Sequence, residues 1–190
     1  MILKFWTRSF LVAALFGAAM PVFAAEITSP AKQAHVTDFA TGKVLFSKDA
    51  DAPMKPASMA KIMTVFVAFQ RIADGQLGMD DKFTISEKAW KKGGSRTFLE
   101  VGRTVSVREL LYGIIVQSGN DAAIVLAEGI SGTENAFVQE MNFWAKKIGM
   151  KNTNFQNSTG WPDPDLTTTA ADLNIICLLY TSDAADELRS

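Results

Sequence analysis

The sequence predicts an α+β domain, and three observations predict it. Two short β-prone runs lie around residues 34–47, an almost wholly apolar helical run begins at Ser58, and helical apolar spacing dominates from residue 107 onward. The start is strand and the middle is helix. No repeat or low-complexity tract interrupts the chain.

Each element can be justified in order. Residues 1–24 read as a secretory signal peptide. Lys4 and Arg8 precede an uncharged apolar run from Phe10 to Ala19, and Pro21 leads into the small-residue pattern Val22-Phe23-Ala24. That run is too short to cross roughly 30 Å of hydrocarbon as a helix, so cleavage after Ala24 or Ala25 is expected. Next, Ala34-His-Val-Thr-Asp38 and Lys43-Val-Leu-Phe-Ser47 are joined by Phe39-Ala-Thr-Gly42 and read as a hairpin. From Met59 to Phe69 the chain is apolar almost all round, the mark of a helix buried in a core, with Lys61 its only charge. A Gly/Asp-rich turn follows from Asp74 to Asp81, then a short strand around Phe83-Thr-Ile85 and a helix start at Ser86-Glu87. Lys91-Lys-Gly-Gly-Ser95 is expected to be a loop. Val107 to Val116 has helical spacing, Ser118-Gly-Asn120 breaks it, and Ala122 to Ala127 resumes it. Glu134 to Lys147 is an amphipathic helix with Phe137, Met141, Trp144 and Ile148 on one face and Gly149 placed to end it.

The last stretch departs from this pattern. Cys177-Leu-Leu-Tyr-Thr-Ser-Asp-Ala-Ala-Asp-Glu187 breaks off an amphipathic run that starts near Thr169, and it resembles a translated transposase sequencing adapter. Residues 177–190 are therefore expected to be non-native and residues 25–176 to be one incomplete domain. Resequencing past the Ile176 codon tests this.

Composition narrows the chemistry. With 19 basic and 20 acidic residues and a formal net charge of −1, there is no basic stripe to hold nucleic acid. The single cysteine lies in the adapter-like tail, so the sequence points to no disulfide framework, thiol nucleophile or cysteine metal site. No metal or cofactor is expected. The single histidine, His35, sits in the first strand and reads as an ordinary strand residue; no G-x-S-x-G turn occurs, which disfavours a Ser-His-Asp enzyme.

A serine can instead be activated by a lysine. In Ser58-Met-Ala-Lys61 the two polar residues stand at i and i+3 and share a helix face, so the amine lies beside the hydroxyl. Burial disfavours the charged form of a lysine and lowers its pKa, which lets Lys61 take the Ser58 proton. The helix N-terminus also offers free N–H groups to an oxyanion. The spacing alone is weak: Ser29-Pro-Ala-Lys32 matches it too, but with no buried helix behind it. The alternative is that Ser58 caps the helix and Lys61 snorkels to solvent. Ser118 and Asn120 likewise have a capping alternative, yet paired with S-x-x-K sixty residues earlier they complete the S-x-x-K plus S-x-N set of penicillin-binding proteins and class A β-lactamases.

Pro56-Ala-Ser-Met-Ala-Lys-Ile-Met-Thr64, Ile114-Ile-Val-Gln-Ser-Gly-Asn-Asp-Ala122, the stretch from Met141 to Thr153, and Ser158-Thr-Gly160 occur in one order. In these blocks the chain, from Ala34 to Ile176, resembles the low-molecular-mass D-alanyl-D-alanine carboxypeptidases. The resemblance implies a β-lactamase/transpeptidase-like fold, an antiparallel sheet flanked by helices with a helical subdomain. It implies Ser58 as nucleophile on the peptidoglycan stem peptide, Lys61 as base, Ser118 as proton relay to the leaving amine, and Asn120 as a ligand of the substrate backbone. β-Lactam antibiotics would acylate the same serine. An exported, periplasmic protein is implied, attached to the inner membrane by a C-terminal anchor.

The family's K-T-G strand should follow about a hundred residues after Ser118, and the chain stops before it; Thr41-Gly42-Lys43 is reversed and lies in the first hairpin. Residues 25–176 alone are therefore expected not to be labelled by a fluorescent penicillin. Three neighbouring readings remain at this point. A class A β-lactamase needs a deacylating carboxylate, usually in E-x-x-L-N, where Ala170-Ala-Asp-Leu-Asn174 has alanine; Asp163 and Asp165 stay open as substitutes. The others are a cross-link endopeptidase and an inactive peptidoglycan-binding relative.

Overall fold

The structure is a computed structural model, and it describes residues 27–187. The expected signal peptide, residues 1–24, lies outside the described residues. The chain begins with a hairpin of β1 (Ala34–Thr37) and β2 (Val44–Lys48), paired antiparallel with His35 opposite Ser47 and a bulge between Val36 and Thr37. The Asp38 carboxylate holds the turn by accepting the Thr41 N–H at 2.8 Å. A 3-10 turn, Ala57–Met59, leads into α1 (Ala60–Ala73). There follow β3 (Lys82–Thr84), α2 (Glu87–Lys91), β4 (Thr104–Ser106), α3 (Val107–Gln117), α4 (Asn120–Ser131), α5 (Glu134–Ile148) and α6 (Ala170–Glu187).

Helix α1 is apolar all round because it lies between two clusters. On one side Val65 and Ala68 join Ala89, Leu110, Ile114 and the face of α4 from Ala122 to Leu126. On the other, Ala60, Met63, Phe66 and Val67 meet Phe137, Met141 and Ala145 of α5, together with Phe155, Leu166 and Ile176. Two apolar neighbours leave no face for charge, which is why Lys61 stands out.

Helix ends follow their residues. Ser86 caps α2 by accepting the Ala89 N–H, and Ser106 forms a reciprocal capping box with Glu109 at the start of α3. Gly149 ends α5 in the left-handed region at φ +93, where a side chain would be strained.

Three details differ from the sequence expectation. The described strands form two separate two-stranded sheets, β1–β2 and β3–β4, rather than one. Strand β4 was not expected: at three residues it is too short to show a period, and only its pairing with β3 (Phe83 opposite Val105) makes it a strand. Helix α6 does not stop at Ile176; it continues through Glu187, with the Tyr180 ring packed edge-on to Phe66 and Phe69.

Candidate active site

Ser58 stands in the 3-10 turn, two residues ahead of α1, and not at the first position of the α-helix as its spacing suggested. Ala57 causes this: it sits in the left-handed region at φ +47, which tightens the turn and exposes Ser58. A non-glycine residue there costs about 1–2 kcal/mol, so its surroundings must impose it. Gly160 does so. Its backbone passes so close to Ala57 that a Cβ on Gly160 would lie 1.6 Å from the Ala57 carbonyl oxygen.

Lys61 is the second residue of α1, one turn after Ser58, with its Nζ 3.2 Å from Ser58 Oγ and donating to the Thr159 carbonyl at 2.9 Å. It is only 4% exposed, so it does not snorkel. Among the described residues no carboxylate forms an ion pair with it. Burial pushes its pKa down to about 8. Ser58 caps nothing either: neither the 3-10 turn nor α1 has a side-chain cap.

The Ser158–Gly160 segment is the back wall of this pair. Thr64 Oγ1 donates to the Ser158 carbonyl at 2.7 Å, and Glu134 Oε1 accepts from both the Ser158 N–H (3.0 Å) and its hydroxyl (2.8 Å). Glu134 also pairs with Lys88 at 2.6 Å. Burial opposes the Glu134 charge, but the Lys88 ammonium and the two Ser158 donors outweigh it and hold the carboxyl below its ordinary range.

Ser118 ends α3 in the left-handed region at φ +54, and Gly119, without a side-chain cap, precedes α4. The break is therefore a sharp turn between two helices rather than a capping site. It brings Ser118 to a cavity of about 440 Å³ that Ser58 and Lys61 also line, with Ile62, Val65, Ile114 and Ile115 as its apolar walls. Asn120 is 6% exposed. Its Nδ2 donates to the Gly93 carbonyl at 2.8 Å, and this orients the side chain so that Oδ1 is the atom left to accept from a ligand.

Sequence reasoning missed the group that holds this turn. Asp121, fully buried, accepts the Thr97 N–H (2.9 Å), the Thr97 hydroxyl (2.9 Å) and the Leu99 N–H (3.3 Å), lacing the loop before β4 to the Ser118 turn. A signal was available, since Asp121 opens an apolar helical run as Lys61 does. Glu134, Thr97 and the Thr159 carbonyl offered no comparable signal. We expect Asp121→Ala to strand these buried donors, at about 1–3 kcal/mol for each group left unpaired. The melting temperature should fall by roughly 6–12 °C, taking about 3 kcal/mol in total for a chain of this size; an unchanged melt would show that the loop does not depend on it.

The other sequence candidates lie elsewhere. Ser29 and Lys32 are in irregular chain before β1, and Ser29 Oγ accepts the Ala31 N–H. His35 pairs within the β1–β2 hairpin. In the Ala170–Asn174 stretch, Asp172 is buried, accepting from the Asn152 N–H and the Thr153 hydroxyl, and Asn174 donates to Thr37. Asp163 Oδ1 accepts the Asp165 N–H, and Lys55 donates to the Asp163, Pro164 and Leu166 carbonyls, which fastens that loop. None of these carboxylates lines the Ser58 cavity.

The chain as a whole resembles known proteins. The profile of the D-alanyl-D-alanine carboxypeptidase family of peptidases matches residues 20–189. The chain is 43% identical over 151 residues to the D-alanyl-D-alanine carboxypeptidase DacF of Bacillus subtilis, covering 80% of this chain and 39% of that protein. It is 38% identical over 184 residues to DacC of Escherichia coli, covering 91% and 46%. Among solved structures, the D-alanyl-D-alanine carboxypeptidase DacD from Francisella tularensis superposes with a TM-score of 0.80 at 42% identity, covering 82% of this chain and 38% of that one. Penicillin binding protein 5 from Haemophilus influenzae does so with a TM-score of 0.79 at 36% identity, covering 85% and 49%. The chain thus spans less than half the length of each of these relatives. With the matching profile running over nearly its whole length, the chain belongs to the D-alanyl-D-alanine carboxypeptidase family of peptidases, with the penicillin-binding α+β fold.

Proposed function

We propose that the protein is a serine-type D-alanyl-D-alanine carboxypeptidase that trims the terminal D-Ala from peptidoglycan stem pentapeptides outside the cytoplasmic membrane. One observation carries the reading: a buried lysine, in no ion pair among the described residues, whose amine lies 3.2 Å from the hydroxyl of an exposed serine. Residues 25–176 supply the nucleophile side of the catalytic unit.

In the proposed reaction, neutral Lys61 accepts the Ser58 proton as Oγ bonds to the carbonyl carbon of the penultimate D-Ala. The oxyanion takes the Ser58 N–H, an orphan donor at the start of a helical turn. Collapse of the tetrahedral intermediate breaks the peptide bond, and Ser118 passes a proton to the departing D-Ala amine. Asn120 Oδ1 accepts a backbone N–H of the substrate. Water then hydrolyses the Ser58 ester. A β-lactam follows the same path to an acyl-enzyme.

The test uses the full-length gene product. Fluorescent penicillin should give one stoichiometric adduct, mapped to the peptide containing Ser58 and persisting for minutes, and the protein should release D-Ala from a pentapeptide faster than it cuts a cross-linked dimer. An adduct on another residue, or one that clears within seconds, sinks the proposal.

A further inference from the structure

We propose that Lys92, stacked on Trp161 beside the Asn120 turn, binds a carboxylate of the peptide substrate and sets its specificity; this rests on the carboxypeptidase reading above. Three lysines lie together on α2 and the loop after it. Lys88 pairs with Glu134 at 2.6 Å and Lys91 with Glu87 at 2.5 Å. Lys92 forms no ion pair among the described residues; its Nζ lies instead 4.1 Å from the centroid of the Trp161 ring.

The Trp161 backbone is held in place. Its backbone N–H donates to Asn157 Oδ1 at 2.9 Å and to Thr159 Oγ1 at 3.1 Å, and its carbonyl accepts from Asn157 Nδ2 at 3.0 Å, while the ring itself is partly exposed. It follows Gly160, whose backbone presses on Ala57 next to the nucleophile. The indole also lies against the Gly93-Gly94 turn: a Cβ on Gly94 would be 3.2 Å from the ring and 2.7 Å from Asn120 Nδ2. The carbonyl that orients Asn120 belongs to Gly93, the residue after Lys92. The ammonium is thus linked through Trp161 and Gly160 to the Ser58 turn and through Gly93 to the Asn120 turn, the two turns that would hold the carbonyl and the N–H of a bound peptide.

The environment suits an anionic ligand. Burial pushes Lys92 below the ordinary lysine range; the Glu134 charge opposes this and the Lys88 charge adds to it. A partly buried cation on an aromatic face, in no ion pair among the described residues, gains from an incoming carboxylate through a charge-assisted hydrogen bond.

The experiment follows D-Ala release by the full-length gene product from two pentapeptides ending in D-Ala-D-Ala. One carries a free side-chain carboxylate on its third residue, and the other carries the carboxamide there. For Lys92→Gln we expect KM for the carboxylate peptide to rise about tenfold with kcat kept, the carboxamide peptide to change less than about twofold, and Lys92→Arg to restore KM. Equal losses on both peptides, a loss confined to kcat, no change, or no rescue by Lys92→Arg overturns the assignment. A wild type that releases no D-Ala and carries no Ser58 adduct sinks the carboxypeptidase reading and this one together. An active wild type with an unaffected Lys92→Gln sinks the Lys92 assignment alone.

Discussion

Lys61→Met should lower the rate of Ser58 acylation by benzylpenicillin at least about 10³-fold, within the range a positioned base contributes, and should abolish its pH dependence. In the wild type, Lys61 titrates near pH 8, so about a tenth of the protein holds the neutral amine at pH 7 and about nine-tenths at pH 9. Acylation should therefore climb with pH to a plateau above about 8. The stability sign runs the other way from that of a paired lysine. Because the folded pKa lies below the ordinary lysine value of 10.5, the folded state binds fewer protons than the unfolded state between pH 8 and 10.5. Stability gains from this group as pH rises through that window, and the full cost of the buried charge stands below pH 8. Met replaces the aliphatic stem and removes that charge, so its melting temperature should stay within about 5 °C of wild type at pH 7. A folded Lys61→Met that still acylates quickly, or a wild-type profile flat from pH 6 to 9, would remove Lys61 from the role of base.

Gly160→Ala should be the most destabilising change near the site. The added Cβ would stand 1.6 Å from the Ala57 oxygen and 2.3 Å from its carbonyl carbon, and backbone cannot rotate aside as a side chain can. The position also requires φ +78, which costs an L-residue about 1–2 kcal/mol before any clash. Together these reach about 4 kcal/mol or more, the range reserved for specific structural failures, and a fall in melting temperature of about 10 °C. Acylation should fall by about 10²-fold even in the folded fraction, since Ser58 and the wall that holds Lys61 must separate by an ångström or more. Differential scanning fluorimetry and stopped-flow acylation measure the two effects. Wild-type values for both would mean that the 158–160 segment does not press on the nucleophile turn.

The elements that could be read from sequence were those with a local cause. The β1–β2 hairpin announces itself by two β-prone runs around Gly42, α5 by its amphipathic period and Gly149, and α2 by Ser86 at its cap. Lys61 was legible because a single charge in an apolar helix needs a reason, and Ser118 because a polar break in a helical run does. Strand β4 was not, since three residues carry no period and its pairing partner lies twenty positions away.

The sequence by itself determined the α+β class and, through its motif blocks, the family resemblance, and it pointed to Ser58, Lys61, Ser118 and Asn120 as candidates, because helical spacing and residue chemistry act over a few positions. Tertiary structure alone decided that Ser58 is not a cap but the exposed residue of a tight turn, and that Lys61 is buried against the Thr159 carbonyl. It alone brought Gly160, Asp121 and Trp161 to the site. Those facts depend on contacts between segments as far as a hundred residues apart, such as Lys61 with Thr159. No local propensity encodes such contacts; they exist only once α1 and α4 share apolar clusters and Phe155 and Leu166, on either side of the 158–161 segment, pack against α1.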